Sequence, residues 1–511
     1  MISRRKVLAG ALSATGAAAA SLALRRTATA AVRPGVAITS ALTADPRSFD
    51  PGFTQGVAGR EATRLFFDPL VNVDESGRLA PGLAERWDQP DARSYVLHLR
   101  RGVTFHDGTP FDAAAVKAHF DHHLDPANKS LRRGEITSID TVTVVDAHTV
   151  RIALKEPFAA FLAPLADLSG FIESPAARRQ HGADFGARPV GTGPFRLVEY
   201  QKDVHTVAER NVSYWRAGFP KADKVVLRPI PVDTTRLTEV RTGGVHIAAD
   251  PPFQDLRRLR GASDVVLSEK QGFRWDYMAF NQSKGVGANR PFRQAVSRAI
   301  DREAIHNVVY FGTGAIAYDP FLPGTPYHDP AFRPVTRDVG EARKLIDGSG
   351  VKLPVALPVA VTPDPVKQRV AQIVQQNLAE IGIELSLRQT DAAAHTAMIE
   401  AGDYTFDPGW GWFGYRPDPD QYLYILTRTR GSRNIGRYSN PQVDELLTAE
   451  RSTLAPAERR QAFRRIAALL HEDAVYISYH FGSDFKVRSP QLQGFVHRQD
   501  GIIRYDELSL G

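Results

Sequence analysis

The clearest helical periodicity in the chain runs from Pro365 to Ile381. Val366, Val370, Ile373, Val374, Leu378 and Ile381 recur at three- and four-residue spacing, which gathers them on one helix face. Asp364 suits an N-cap, Pro365 suits the first helical position, and Gly382 supplies a stop. The period then changes to two. Ile383, Leu385 and Leu387 alternate with Glu384, Ser386 and Arg388, the pattern of a half-buried strand. The same grammar returns with helices predicted from Pro441 to about Arg451 and from near Pro456 to Leu470, then a strand over residues 475–479. Upstream, the β-rich runs 141–145 and 150–154 flank Asp146-Ala147-His148-Thr149 and predict a hairpin. Helices alternating with strands imply mixed sheets with helices packed on them, an α/β chain. A length of 511 residues, at roughly 100–200 per domain, predicts two to four lobes. No Gly/Ser or Pro-rich linker separates them, so short hinge-like crossings are expected.

The N-terminus follows a different pattern. Arg4, Arg5 and Lys6 precede eighteen uncharged, Ala-rich residues from Val7 to Leu24, and Ala28-Thr29-Ala30 offers a cleavage site. Residues 1–31 therefore read as an export signal, and the paired arginines resemble the twin-arginine type. An uncleaved membrane anchor is the alternative, since eighteen residues can just span a bilayer. This segment also changes the meaning of the net charge of +7. It holds five basic and no acidic residues, leaving 59 basic against 57 acidic, or +2. With no remaining basic block, a nucleic-acid partner is not expected. The chain has no cysteine, which excludes disulfides, thiolate metal sites and a cysteine-linked lipid anchor.

The search for catalytic chemistry finds no nucleophile elbow, zincin motif or phosphate loop. Gly312-Thr313-Gly314-Ala315-Ile316-Ala317 fits a loose dinucleotide pattern, but a helix capped by Asp301 precedes it where a strand is required. It reads as a turn, and no cofactor is expected. His119, His122 and His123, with Asp121 and Asp125, form the most tempting metal cluster. No further ligand follows at typical spacing, so these histidines are expected on a solvated helix face opposite Val116 and Phe120. Asp418 and Asp420 are a conceivable acid/base pair, though their Pro-x-Pro frame equally describes a rigid loop.

Several collinear stations carry a resemblance. They are Pro69-Leu70-Val71 through residues 77–87, residues 95–111 with Arg101-Gly102-Val103-Thr104-Phe105-His106-Asp107-Gly108, and Gly191-Thr192-Gly193-Pro194-Phe195. Asn211 with Tyr214-Trp215, then residues 293–302, and Tyr438-Ser439-Asn440-Pro441 through Asp444 complete the series. The chain thus resembles the family 5 extracellular solute-binding proteins, the dipeptide, oligopeptide and nickel-chelate receptors of ABC importers. The resemblance implies an α/β, two-lobed periplasmic-binding-protein-like fold with an extra subdomain inserted in the first lobe. Scaled to this chain, lobe I comprises 36–65, 188–280 and 484–511, the inserted subdomain 66–187, and lobe II 281–483. Crossings are expected near Asn281 and residues 480–484. The implied function is non-enzymatic: a monomer, periplasmic or secreted, captures a peptide-like or other small polar solute between its lobes. It then delivers that solute to a permease and its ATPase subunits.

Aromatic loops suggest where the solute sits. Phe273, Trp275 and Tyr277 precede the first crossing, while Trp410, Trp412, Tyr415 and Arg416 form a loop of lobe II. Rigid rings on opposing lips can clamp a ligand by stacking. Arg433, Asn434, Thr54 and Gln55 are further candidates. The resemblance also exposes departures. Dipeptide receptors pair an aspartate with the peptide ammonium where Tyr415 stands here, and an arginine with its carboxylate where Val361 stands. Without these anchors, a longer peptide, an anionic compound or a metal chelate is expected rather than a simple dipeptide. A nickel-type chelate receptor is the alternative within the class, and an exported hydrolase the alternative outside it.

Overall fold

The computed structural model describes residues 36–412, 416 and 418–511. The expected export signal and Tyr415 lie outside these residues, and the side chain of Trp412 is likewise not described. Residues 36–511 form one compact unit. Among the described residues no helix is long and apolar enough to cross a membrane.

The backbone of the molecule is a nine-stranded mixed sheet. Its main path runs Phe406–Trp412, Val266–Phe280, Tyr476–Arg488, Ile247–Ala249, Ala37–Leu42, Lys224–Pro229, His205–Arg210 and Phe195–Gln201, with Ala315–Ile316 pairing off the path. Two members are unusually long and lie side by side antiparallel: Val266–Phe280 and Tyr476–Arg488. Residues 266–271 pair with 483–488, and 274–279 pair with 476–482. Between those blocks the register slips, so Gly272 and Phe273 bulge from the ladder. Gly272 is required there, because a Cβ would stand 2.8 Å from the Gly482 carbonyl oxygen.

The expected local elements are present. Pro365–Ala379 is a helix whose first N–H groups are accepted by Asp364, and it links the parallel strands Val355–Val361 and Ile383–Gln389. Ile139–Asp146 and Thr149–Leu154 form the hairpin, within a four-stranded antiparallel sheet completed by Ala84–Asp91 and Ser94–Leu99. Pro441–Ser452 and Pro456–Glu472 pack as a helical pair. The strand expected over 475–479 continues to Arg488, because its polar continuation is buried against Val266–Phe280. The resembling motifs serve the scaffold: Gly108 adopts φ +83°, and a Cβ on Gly191 or Gly193 would strike the Phe66 backbone at 2.3 Å.

One expectation fails. His119 and His123, predicted on a solvated face of the helix Ala113–Leu124, are 2% and 1% exposed. The helix is covered on two sides, since Val116 and Phe120 meet the apolar core while the histidines meet Glu173 and Ser169 from a distant segment. Only His122 keeps partial exposure. Asp418 and Asp420 are also not an acid/base pair. Asp418 is held by both terminal nitrogens of Arg459 at 2.7 and 2.8 Å, and Asp420 by Arg451 at 2.6 and 2.8 Å. Both carboxylates are committed to buried ion pairs.

Candidate ligand-binding cleft

Parallel strands from two sheets aim their carboxyl ends at one space. Ala37–Leu42 and Ile247–Ala249 run parallel and deliver Thr43, Asp250 and Pro251 to it. Val355–Val361 delivers the start of the Pro365–Ala379 helix, with Asp364, Val366 and Arg369. Ligand clefts of α/β sheets characteristically open beyond the carboxyl ends of parallel strands. The bulged centre of the two long strands, Gly272 to Arg274 opposite Gly482 to Phe485, lines the same space. Its volume is about 760 Å³, inside the range of roughly 300–1,000 Å³ usual for small-molecule sites.

Phenylalanine provides the aromatic lining. Phe273 is turned out by the bulge, Phe311 stands half exposed, and Phe253 packs edge-on against Phe485 and Tyr310. Of the aromatics expected from the sequence, Phe273 alone lines the cleft among the described residues. Trp275 and Tyr277 point into the core with ring centroids 4.4 Å apart, and Trp275 Nε1 donates to Ser478 Oγ at 3.0 Å. Trp410 packs on His395. Arg433 is exposed and paired to Glu400 at 2.8 Å, while Asn434 is buried and bonded to backbone at Arg428 and Tyr438. Thr54 is a buried turn residue whose hydroxyl donates to Asp50 O at 2.7 Å, and Gln55 is exposed ahead of the helix Gly56–Thr63. Arg416 reaches the cleft wall indirectly: Asp167 lies 3.5 Å from Arg416 and accepts from cleft-lining Arg60 at 3.0 Å.

The charges of the cleft are mostly committed. Lys486 pairs with Asp484, which also meets His497 Nε2 at 2.7 Å. Asp500 pairs with Arg504, and Arg274 donates to Asp276 at 3.0 Å. Glu61 accepts from the Tyr505 hydroxyl, and burial pushes its carboxyl up to about 7 against the pull of Lys486. Asp233 and Asp364 accept from backbone N–H groups at the starts of their own helices, and two other lining groups differ. Among the described residues, neither the Asp250 carboxylate nor the Arg369 guanidinium has a side-chain partner, and both remain solvent-accessible. Asp250 holds φ +50°, fixed by its N–H bonding Phe485 O at 3.1 Å and its carbonyl accepting from buried Arg236 at 2.8 Å. Desolvation by the surrounding cleft walls raises the Asp250 carboxyl, Lys486 draws it down, and Asp484 adds to the rise. Sequence reasoning missed both residues. An uncommitted charge is a property of the packed neighbourhood, and the one sequence signal was Arg369 standing on the first turns of a well-marked helix.

One arrangement resembles catalytic chemistry. Ser268 Oγ lies 2.9 Å from His497 Nδ1, and His497 Nε2 lies 2.7 Å from Asp484. Ser268 stands mid-strand outside the cleft lining, and Asp484 is already neutralised by Lys486, so the bonds brace the strand.

Comparison with known proteins accounts for this architecture. The family described as bacterial extracellular solute-binding proteins, family 5 Middle, matches residues 78–434. The glutathione-binding protein GsiB of Pectobacterium atrosepticum is 30% identical over 474 residues, covering 91% of this chain and 92% of that protein. The Helicobacter pylori ABC transporter-associated periplasmic binding protein DppA, solved with the peptide STSA, superposes with a TM-score of 0.82. That match has 25% identity and covers 93% of this chain and 98% of DppA. CtaP of Listeria monocytogenes shares the fold at a TM-score of 0.85, with 24% identity, over 94% of this chain and 100% of that one. The chain therefore belongs to the family 5 bacterial extracellular solute-binding proteins, the solute-capturing components of ABC importers.

Proposed function

We propose that the cleft captures a zwitterionic, peptide-like solute of about tripeptide size, with Asp250 receiving its ammonium and Arg369 a carboxylate. The observation that carries this reading is the pair of uncommitted, opposite charges, borne by different parts of the fold and lining one space. A charged group with no side-chain partner gains a charge-assisted hydrogen bond from a ligand that brings one, so a ligand that supplies both partners is selected over one that supplies neither. Glutathione, for which the GsiB relative is named, carries an ammonium and two carboxylates and meets this requirement. The anchors absent at Tyr415 and Val361 are thus replaced from other elements. A metal chelate is less well served, because no histidine is among the described lining residues.

The remaining parts of the proposal follow from the sequence. The lobes have the boundaries given above and close about the bulged long strands, the solute passes unaltered to a permease and its ATPase subunits, and the protein acts as a monomer after twin-arginine export. Calorimetric titration with glutathione, short peptides and nickel–histidine tests the specificity. We expect saturable 1:1 binding of glutathione or a short peptide, weakened in both Asp250→Asn and Arg369→Gln. Binding of nickel–histidine alone, or unchanged affinity in both variants, overturns it. Mass spectrometry of the recovered solute should show no turnover; turnover would favour the hydrolase reading.

A further inference from the structure

Outside the cleft lining, three buried polar atoms converge without hydrogen-bond partners: His119 Nδ1, His123 Nε2 and Glu173 Oε1. Glu173 Oε1 lies 3.9 Å from His119 Nδ1 and 3.2 Å from His123 Nε2. All three lie within 4.8 Å of one another, and the residues are at most 2% exposed. The protonation of His119 follows from its other nitrogen. Nε2 is 3.0 Å from the Ser169 carbonyl oxygen, which can only accept, so Nε2 carries the proton. Nδ1 of the neutral ring is then a bare lone pair aimed at a carboxylate. Two electron-rich groups facing each other in a buried site call for a positive centre between them.

We propose that His119, His123 and Glu173 form a binding site for a first-row divalent cation of the zinc class. The donor set of two imidazoles and one carboxylate is typical of zinc, whose ligand atoms bind at about 2.0–2.2 Å and so lie somewhat over 3 Å apart in a tetrahedron. The 3.2 Å spacing already suits such a site, the 3.9 Å spacing needs a small contraction, and the histidine nitrogens, within 4.8 Å of each other, close onto the ion as it binds. Supporting bonds fix each ligand as metal sites require. His119 is held by Ser169 O, and His123 Nδ1 lies 2.7 Å from Ser130 Oγ. Glu173 Oε2 accepts from Arg178 at 2.5 Å, and Arg178 is itself clamped by Asp50 at 2.6 and 3.1 Å. With His123 Nδ1–H donating to Ser130, whose second lone pair takes the Arg132 N–H at 3.2 Å, Nε2 is free to ligate. A recess of about 170 Å³ beside His119, His122, Glu173 and Arg178 provides entry and room for a fourth ligand. An anionic fourth ligand would balance the charge of the cluster. His119 and His123 lie four residues apart on one helix, whereas Glu173 comes fifty residues later, so the ion would staple that helix to the segment entering the helix Pro175–His181.

The test uses the full mature chain, stripped with EDTA and dialysed against Zn²⁺ alone. One zinc per chain should be retained, with a rise in the thermal midpoint. His119→Asn and Glu173→Gln should each raise the zinc Kd by more than the about 10–100-fold lost with a supporting bond. His205→Asn, which removes a ring facing Glu199 at 3.2 Å on the surface, should leave it unchanged. Should those variants misfold, X-ray absorption of the zinc-loaded natural chain still decides, since two imidazole ligands are expected. No stoichiometric zinc, equal affinity in both ligand variants, or an all-oxygen coordination sphere overturns the proposal.

Discussion

Asp250 couples backbone strain to the proposed ligand contact, so Asp250→Gly should trade affinity for stability. The residue holds φ +50°, enforced by the bonds to Phe485 O and Arg236. A left-handed backbone costs an L-residue about 1–2 kcal/mol, and glycine removes that cost. Glycine also frees the unfolded chain, which offsets about 0.4–1 kcal/mol of the gain. The net expectation is a stabilisation of about 0–1.5 kcal/mol in urea unfolding. Loss of a hydrogen bond to a charged group costs about 1.5–3 kcal/mol, so affinity for glutathione or a short peptide should fall about 10–150-fold. Asp250→Asn separates the two effects. Asparagine tolerates the left-handed region, so stability should stay near that of the natural protein while affinity falls similarly. Unchanged affinity in both variants would refute the anchoring role. Destabilisation of Asp250→Gly by more than about 1 kcal/mol would refute the strain argument.

Three further outcomes are expected. Phe273→Ala should weaken solute binding by about 1–3 kcal/mol through lost apolar contact, measured calorimetrically; an unchanged Kd would remove Phe273 from the site. Glu61, raised to about 7, holds its proton in the folded state after the unfolded chain, at the ordinary value of 4.5, has released it. Stability from this group is therefore present at low pH and lost as pH rises from about 4.5 to 7, with a slope of at most about 1.4 kcal/mol per pH unit. Glu61→Gln should flatten that part of the profile; an identical profile would refute the assignment. Asp418→Asn removes one of the two carboxylate partners of Arg459, leaving Glu450 at 2.8 Å, and should cost about 1.5–3 kcal/mol in stability, without altering solute affinity. A selective loss of binding would instead reopen a functional role for that loop.

Local periodicity carried much of the fold. The Pro365 helix, its Asp364 cap, the following alternating strand and the 139–154 hairpin are all encoded within a few residues of themselves, and they form as expected. The site was less legible because its chemistry is non-local. Trp275 and Tyr277 looked like cleft aromatics, but strand pairing with residues 476–482 turns both into the core, and the bulge at Gly272 turns out Phe273 instead. A bulge depends on the register of two strands about two hundred residues apart. His119 and His123 looked solvated because the residue that covers them, Glu173, follows at no helical or metal-motif spacing. Arg369 and Asp250 stand apart only through the pairing and capping of the neighbouring charges, which the fold sets and no local pattern encodes.

The hydrogen-bonded long strands have a bearing on how affinity is set. Residues 266–280 and 476–488 are joined along nearly their whole length, so one cannot bend without the other. Under the proposed closing motion, the slip at Gly272 and Gly482 is where the paired ribbon has fewest rungs and bends at least cost. Apparent affinity is the intrinsic affinity scaled by the fraction of molecules already in the binding-competent arrangement. Substitutions at the bulge can therefore tune how tightly every solute is held while touching none of them, leaving discrimination among solutes to the cleft walls.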